Sequence, residues 1–106
     1  MAFKIELVPE AWEDLRAFRK SDQVRILDAL KVHLTHEPTR VSKSRIKHLR
    51  PGTRPPYRLR LAEIRVFYDV SLETQTIIVY GIVHKEHSLE WLAAFVTQDA
   101  DNGSEQ

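Results

Sequence analysis

Three arginines at alternating positions, Arg58, Arg60 and Arg65, are the densest chemistry in this sequence. Tyr57, Leu59 and Leu61 alternate with Arg58 and Arg60. Ile64, Val66, Tyr68 and Val70 alternate with Arg65, Phe67 and Asp69. This period of two predicts two strands close enough to form a hairpin. A two-residue loop, Ala62-Glu63, then pairs Leu61 with Ile64, Arg60 with Arg65, Leu59 with Val66 and Tyr57 with Tyr68. One side of the ribbon is apolar and belongs to a core. The other carries Arg60 opposite Arg65, with Arg58 two residues along. Like charges facing each other on a sheet are unfavourable by a few tenths to about 1 kcal/mol. Arginine, however, offers a fixed fork of donors that suits phosphate. Three of them on one rigid face, beside a basic loop, favour an extended polyanion over a single small ligand. The bland alternative is a solvated face whose arginines splay apart or find Glu63, Asp69 or Glu86.

A second cluster is His84-Lys85-Glu86-His87-Ser88-Leu89-Glu90-Trp91. It follows an apolar run, so it lies at a sheet end, where functional groups gather. Histidine moves protons near neutral pH, which makes His84 and His87 candidates for acid–base work. Two histidines three residues apart lack a third ligand in basic surroundings, so no metal is expected. Glu86 and Ser88 read as a helix start and its cap. Trp91 reads as core, although an exposed indole beside arginines would stack a nucleobase.

The net charge of +1 hides a division. Residues 40–65 hold nine basic side chains: Arg40, Lys43, Arg45, Lys47, Arg50, Arg54, Arg58, Arg60 and Arg65. Glu63 alone opposes them, leaving a local excess of +8. The remainder has seven basic and fourteen acidic residues, or −7. About half of the basic window lies on the Pro- and Gly-punctuated stretch 38–56, which reads as irregular. Arg45, Lys47, Arg50 and Arg54 are the candidate polyanion contacts there.

The remaining elements must carry these groups. Phe3, Ile5 and Leu7 alternate with Lys4 and Glu6, a short strand. Pro9 suits the first turn of a helix, and Glu10, Glu13 and Asp14 suit its dipole. Ala11, Trp12, Leu15 and Phe18 make its apolar stripe. Ser21-Asp22 breaks it and can cap a second helix marked by Val24, Leu27, Leu30 and Leu34. Thr76 to Val83 reads as an interior strand buried on both faces. A last helix starts at Ser88, with Leu89, Leu92, Ala93 and Val96 as its apolar side. Residues 99–106 read as a disordered acidic tail. The order β-α-α-β-β-β-α predicts an α+β fold, an antiparallel sheet with an N-terminal helical hairpin packed on it.

At 106 residues the chain suits one domain, expected over 1–98. No apolar run approaches the ~18 residues of a membrane span. The start, Met1-Ala2-Phe3-Lys4, does not read as a secretion signal. Cysteine is absent, which removes disulfides and thiolate metal sites and fits the cytoplasm.

The element order, with "LRPGTRPPYRLRLAEIRVFYDV" followed by "IIVYGIVHKEHSLEWL", resembles the RelE/ParE superfamily of type II toxin–antitoxin toxins. The resemblance covers almost all of residues 3 to 96 and is most specific from Leu49 through Val70. It implies a metal-free, cofactor-free endoribonuclease that cuts mRNA in the ribosomal A site. The 2′-hydroxyl attacks the adjacent phosphate, and basic residues stabilise the developing charge. Arg58 and Arg60 match the family's basic positions on the first hairpin strand, and Arg65 matches its arginine on the second. Lys85 falls at the position of a further family arginine, without the bidentate fork. Trp91 occupies the position of a tyrosine that some members use near proton transfer. Indole cannot transfer a proton, so that task falls to His84 or His87, or catalysis rests on orientation and charge. The implied partners are an acidic or amphipathic antitoxin and the ribosome with its mRNA, with no membrane. Two alternatives share the fold: a ParE-like inhibitor of DNA gyrase, and a non-catalytic relic or regulatory module.

Overall fold

A computed structural model describes residues 2–50 and 52–95. The expected tail at 99–106, and Val96 on the last helix, lie outside them. Strand β1 (Lys4–Leu7) leads directly into α1 (Pro9–Arg16), with Pro9 in the first turn, where no backbone donor is lost. Ala11 and Leu15 bury one side of α1, while Trp12 is exposed. Helix α2 (Lys20–Leu34) starts earlier than Ser21-Asp22 capping predicts. Its N-cap is Arg19, with no side-chain cap. Asp22 lies inside the first turn and pairs with Arg19 at 3.5 Å and Arg25 at 3.3 Å. An acid there also complements the helix dipole. The buried stripe of α2 is Ile26, Leu30 and Leu34, at spacing four. Val24, expected on that stripe, faces solvent.

Five strands form one sheet in the order β1-β5-β4-β3-β2. Strand β2 (Ile46–His48) falls within the stretch read as irregular. It pairs antiparallel with β3 (Tyr57–Leu61), which pairs with β4 (Ile64–Ser71), which pairs with β5 (Thr76–His84). The sheet is not wholly antiparallel, because β1 runs parallel to β5. The α1–α2 segment carries the chain away from β1, and β5 returns beside it. After β5 come a 3-10 turn (Lys85–His87) and a helix, α3, over 88–95.

The core lies between one sheet face and α1–α2. Leu59, Val66, Tyr68, Ile77, Val79 and Ile82 meet Ala11, Leu15, Ile26, Leu30 and Leu34 there. Burying such side chains supplies most of the folding free energy, about 1.5–3 kcal/mol each. Tyr68 donates its buried hydroxyl to the Pro38 carbonyl at 2.6 Å, tying the segment after α2 to the sheet. Burial pushes that phenol well above its ordinary pKa. A bulge interrupts the β4–β5 register: Phe67 pairs with Gly81 but Tyr68 pairs with Val79. Tyr80 is the extra residue, and the far face of the sheet is rearranged around it.

That far face is also covered. Phe67 points away from the α1–α2 core yet is fully buried. The Trp91 ring stacks on it at 4.7 Å and 7°. Helix α3 therefore packs on the side opposite α1 and α2, and the sheet is layered on both faces.

Candidate nucleic-acid interface

The hairpin has the register that its alternation predicts: Leu61 with Ile64, Arg60 with Arg65, Leu59 with Val66, Tyr57 with Tyr68. Ala62 takes φ +54°, the positive value that a primed two-residue turn needs at its first position. Arg65 stitches this turn together. Its Nη1 donates to the Ala62 carbonyl at 2.8 Å and the Ile64 carbonyl at 3.0 Å. Both bonds leave from one nitrogen, so Nε and Nη2 remain as a fork for an anion. Partial burial and the nearby charges of Arg58 and Arg60 depress the Arg65 pKa. Among the described residues no carboxylate forms an ion pair with Arg58, Arg60 or Arg65.

Arg58 lies one row further along. It faces Phe67 on β4 and Lys47 on β2, so the short edge strand adds a second cation to the row. The Arg58 Nε is buried without an acceptor among the described residues. An unmet buried donor costs about 1–3 kcal/mol, and folding alone does not explain it. The row ends at Gly81, beneath Trp91. A Cβ on Gly81 would overlap the indole Cε2 and Cζ2 atoms. Trp91 also stacks on Phe95 at 5.1 Å, and Phe95 leans on Tyr80 at 5.2 Å. The indole is thus engaged in aromatic packing, rather than standing alone as a platform for a base.

The basic loop divides. Leu49 and Pro56 close it through a backbone bond of 2.7 Å, and Gly52 takes φ +81° in its turn. Arg50 is exposed at that turn. Arg54 reaches over the bulge and donates from Nη2 to the Tyr80 hydroxyl at 3.4 Å. Arg45 goes elsewhere. It donates to the Arg60 carbonyl at 3.1 Å and lines a cleft of about 210 Å³ between α2 and the hairpin tip. His33 shares that cleft, and burial, then the Arg45 charge, lowers its pKa.

The second cluster also separates. Lys85 stays at the hairpin tip, its N–H donating to the Glu63 carbonyl at 2.7 Å and its Nζ lying 2.9 Å from the Glu63 carboxylate. His84 pairs with Ile64, and Arg65 pairs with Val83. Alternation therefore puts His84 on the α1–α2 side, opposite the arginines. His84 and His87 line a cleft of about 330 Å³ with Asp14, Ala17, Phe18, Ile82 and Val83. The expected grouping of both imidazoles with the arginines is not what the structure shows. The His84 Nδ1 accepts the Glu86 N–H at 3.3 Å and caps the 3-10 turn. Ser88, expected as the cap, has its hydroxyl buried without a partner among the described residues.

Three features of this region escaped the sequence. Gly81 looks like one residue in an apolar run, yet its missing side chain makes room for Trp91. Tyr80 sits on the bulge, which no local pattern announces. Asp14 reads as a helix-dipole acid, but it accepts the Ile82 N–H at 3.0 Å and joins α1 to β5 where β1 has ended. Among the described residues, no three His, Asp or Glu side chains converge on a point that could hold a metal. No helix there is long and apolar enough to cross a membrane.

The fold is that of RelE toxins. A RelBE toxin–antitoxin complex of Mycobacterium tuberculosis is similar, with 22% identity over 79% of this chain and 99% of that one, at TM-score 0.65. The RelE–RelB complex of Pyrococcus horikoshii gives 24% identity over 79% and 96%, at 0.64. A mutant of the Escherichia coli toxin RelE in the free state gives 19% over 86% and 92%, at 0.64. No family model matches the sequence, and no curated protein does.

Proposed function

We propose that this chain is the toxin of a type II toxin–antitoxin module and cuts mRNA on the ribosome without a metal. One observation carries the reading: Arg60 paired directly with Arg65, with Arg58 on the same face, on a RelE fold. A 2′-oxygen attacks the adjacent phosphorus, the bond to the 5′-oxygen breaks, and a cyclic phosphate and a 5′-hydroxyl result. The attacking hydroxyl loses its proton to solvent and the leaving oxygen gains one. Negative charge builds on the phosphoryl oxygens between these events. Arg58 and Arg65, both half-buried, supply positioned donors to that charge, each worth a factor of ~10²–10³ where water is excluded, and exposed Arg60 adds its charge. Lys85 stands at the rim as a further cation, and Lys47, Arg50 and Arg54 hold neighbouring phosphates. Orientation and charge carry the catalysis, since the imidazoles of His84 and His87 face the other way. Trp91 supports the site from α3. The antitoxin is an acidic or amphipathic chain that wraps the helices and masks the basic face.

A translation extract tests this. Wild-type protein should stop synthesis. Arg58→Ala and Arg65→Ala should not, although each variant still folds, as melting curves check. Full inhibition by both variants contradicts the site.

The placement of the two imidazoles favours one second reading. An arginine face from which His84 and His87 turn away also suits pure binding, as in a ParE-like gyrase inhibitor. In that case supercoiling by gyrase is blocked and ribosome-bound mRNA stays intact.

A further inference from the structure

Glu63 is the only acid between residues 40 and 65, among nine basic side chains. It occupies the second position of the hairpin turn, which has no positive φ to favour Gly and nothing that calls for a carboxylate. The backbone bond from the Lys85 N–H to the Glu63 carbonyl would survive any side chain. The bond at the Lys85 Nζ needs the carboxylate.

We infer that Glu63 is the resident counter-ion of Lys85, and that RNA binding proceeds by exchange, a phosphate replacing the Glu63 carboxylate at the Lys85 ammonium. This deepens the RNA-binding reading of the arginine face and rests on it. Glu63 acts through Lys85 and is a positioning residue.

The geometry supports exchange over a permanent clamp. The two side chains are 61% and 49% exposed, so the pair is screened by salt and readily opened. The carboxylate nevertheless sits among cations. Lys85 first, then His84 and Arg65, hold it below its ordinary pKa. It therefore stays ionised and remains a competitor wherever RNA binds. A single carboxylate contacts Lys85 alone. A phosphate offers several oxygens, so it can engage both Lys85 and Arg65, the two cations whose charges already act on Glu63. In the free protein the pair keeps Lys85 at the tip and removes one unit of charge from the face. A polyanion must then engage several cations at once to displace it.

Binding of a short fluorescent single-stranded RNA of about ten nucleotides, read by anisotropy, tests the exchange. Full-length wild type is compared with Glu63→Gln, Lys85→Gln, the double variant, Glu86→Gln and Arg65→Ala. Glu63→Gln should bind about three- to tenfold tighter near 100 mM salt, and its slope of log affinity against log salt should steepen by about 0.7, one phosphate's share. The gain should vanish in the Lys85→Gln background. Glu86→Gln makes the same charge change on a residue turned toward His84, and it should change affinity much less. Melting curves confirm that each variant is folded. No tightening in Glu63→Gln overturns the exchange. So does an equal gain with and without the Lys85 amine, or an equal gain from Glu86→Gln. If Arg65→Ala weakens binding while Glu63→Gln does not strengthen it, only the exchange falls. If Arg65→Ala binds as wild type does, the RNA face falls and the exchange with it.

Discussion

Arg60 and Arg65 stand directly opposite each other across the β3–β4 turn, and no carboxylate is paired with either among the described residues. Arg60 is exposed and, among the described residues, makes no side-chain bond. Its charge therefore opposes folding slightly while serving the face. Arg60→Thr should raise stability by a few tenths to about 1 kcal/mol, since Thr suits a strand and ends the like-charge pair. RNA affinity should fall in the same variant. Urea melts and RNA titrations on one preparation check both signs. A loss of stability would mean that the pairing is not repulsive.

Gly81 and Trp91 make a second prediction. A methyl group on Gly81 meets the indole, so α3 must shift or the sheet must bend. Gly81→Ala should cost about 1–3 kcal/mol, the usual range for overpacking. Tryptophan fluorescence should report the displacement of Trp91. An unchanged melt and spectrum would contradict the packing of α3 on the far face.

The histidines should be dispensable for the chemistry. His84→Ala and His87→Ala should keep cleavage rates within a few-fold of wild type. His84→Ala should cost about 0.5–1 kcal/mol for its lost cap. A 10²-fold or greater loss of rate at unchanged affinity, the scale of a missing general base, would restore proton transfer to that side chain.

The hairpin was legible from residues because strand alternation and a two-residue turn leave one register. Local periodicity places Arg58, Arg60 and Arg65 on one side without tertiary knowledge. It also places His84 and Val83 on opposite faces of β5, but only once the β4–β5 register is known. That register depends on the bulge at Tyr80, a response to packing rather than to any local signal. Strand β2 is three residues long, too short for a period to show, and Ile46 is its one buried residue. The parallel pairing of β1 with β5 joins segments about seventy residues apart, which no local pattern reports. Trp91 was legible as core. Its partner face was not, because α3 could cover either side of the sheet.

Asp14 gives a prediction for pH. Burial, partly offset by the Ile82 N–H and reinforced by Glu13 and Glu10, raises its pKa. The folded protein therefore holds this proton more tightly than the unfolded chain. Stability from this group falls as pH rises from the ordinary aspartate pKa through the raised value, then levels off. Asn at this position keeps an acceptor for the Ile82 N–H and does not titrate. Asp14→Asn should match wild type in acid and exceed it at neutral pH, by no more than about 1 kcal/mol. Melts at several pH values check the sign. A wild type that gains on the variant as pH rises would contradict the burial cause.

The central claim is that the arginine face cuts translated mRNA. Induced expression followed by mapping of mRNA 5′ ends tests it most directly, with wild type beside Arg58→Ala and Arg65→Ala at equal protein levels. The account predicts new ends inside the codons of translated messages for wild type and none for either variant. Growth arrest by wild type with mRNA intact, or the same cuts from both variants, would contradict it.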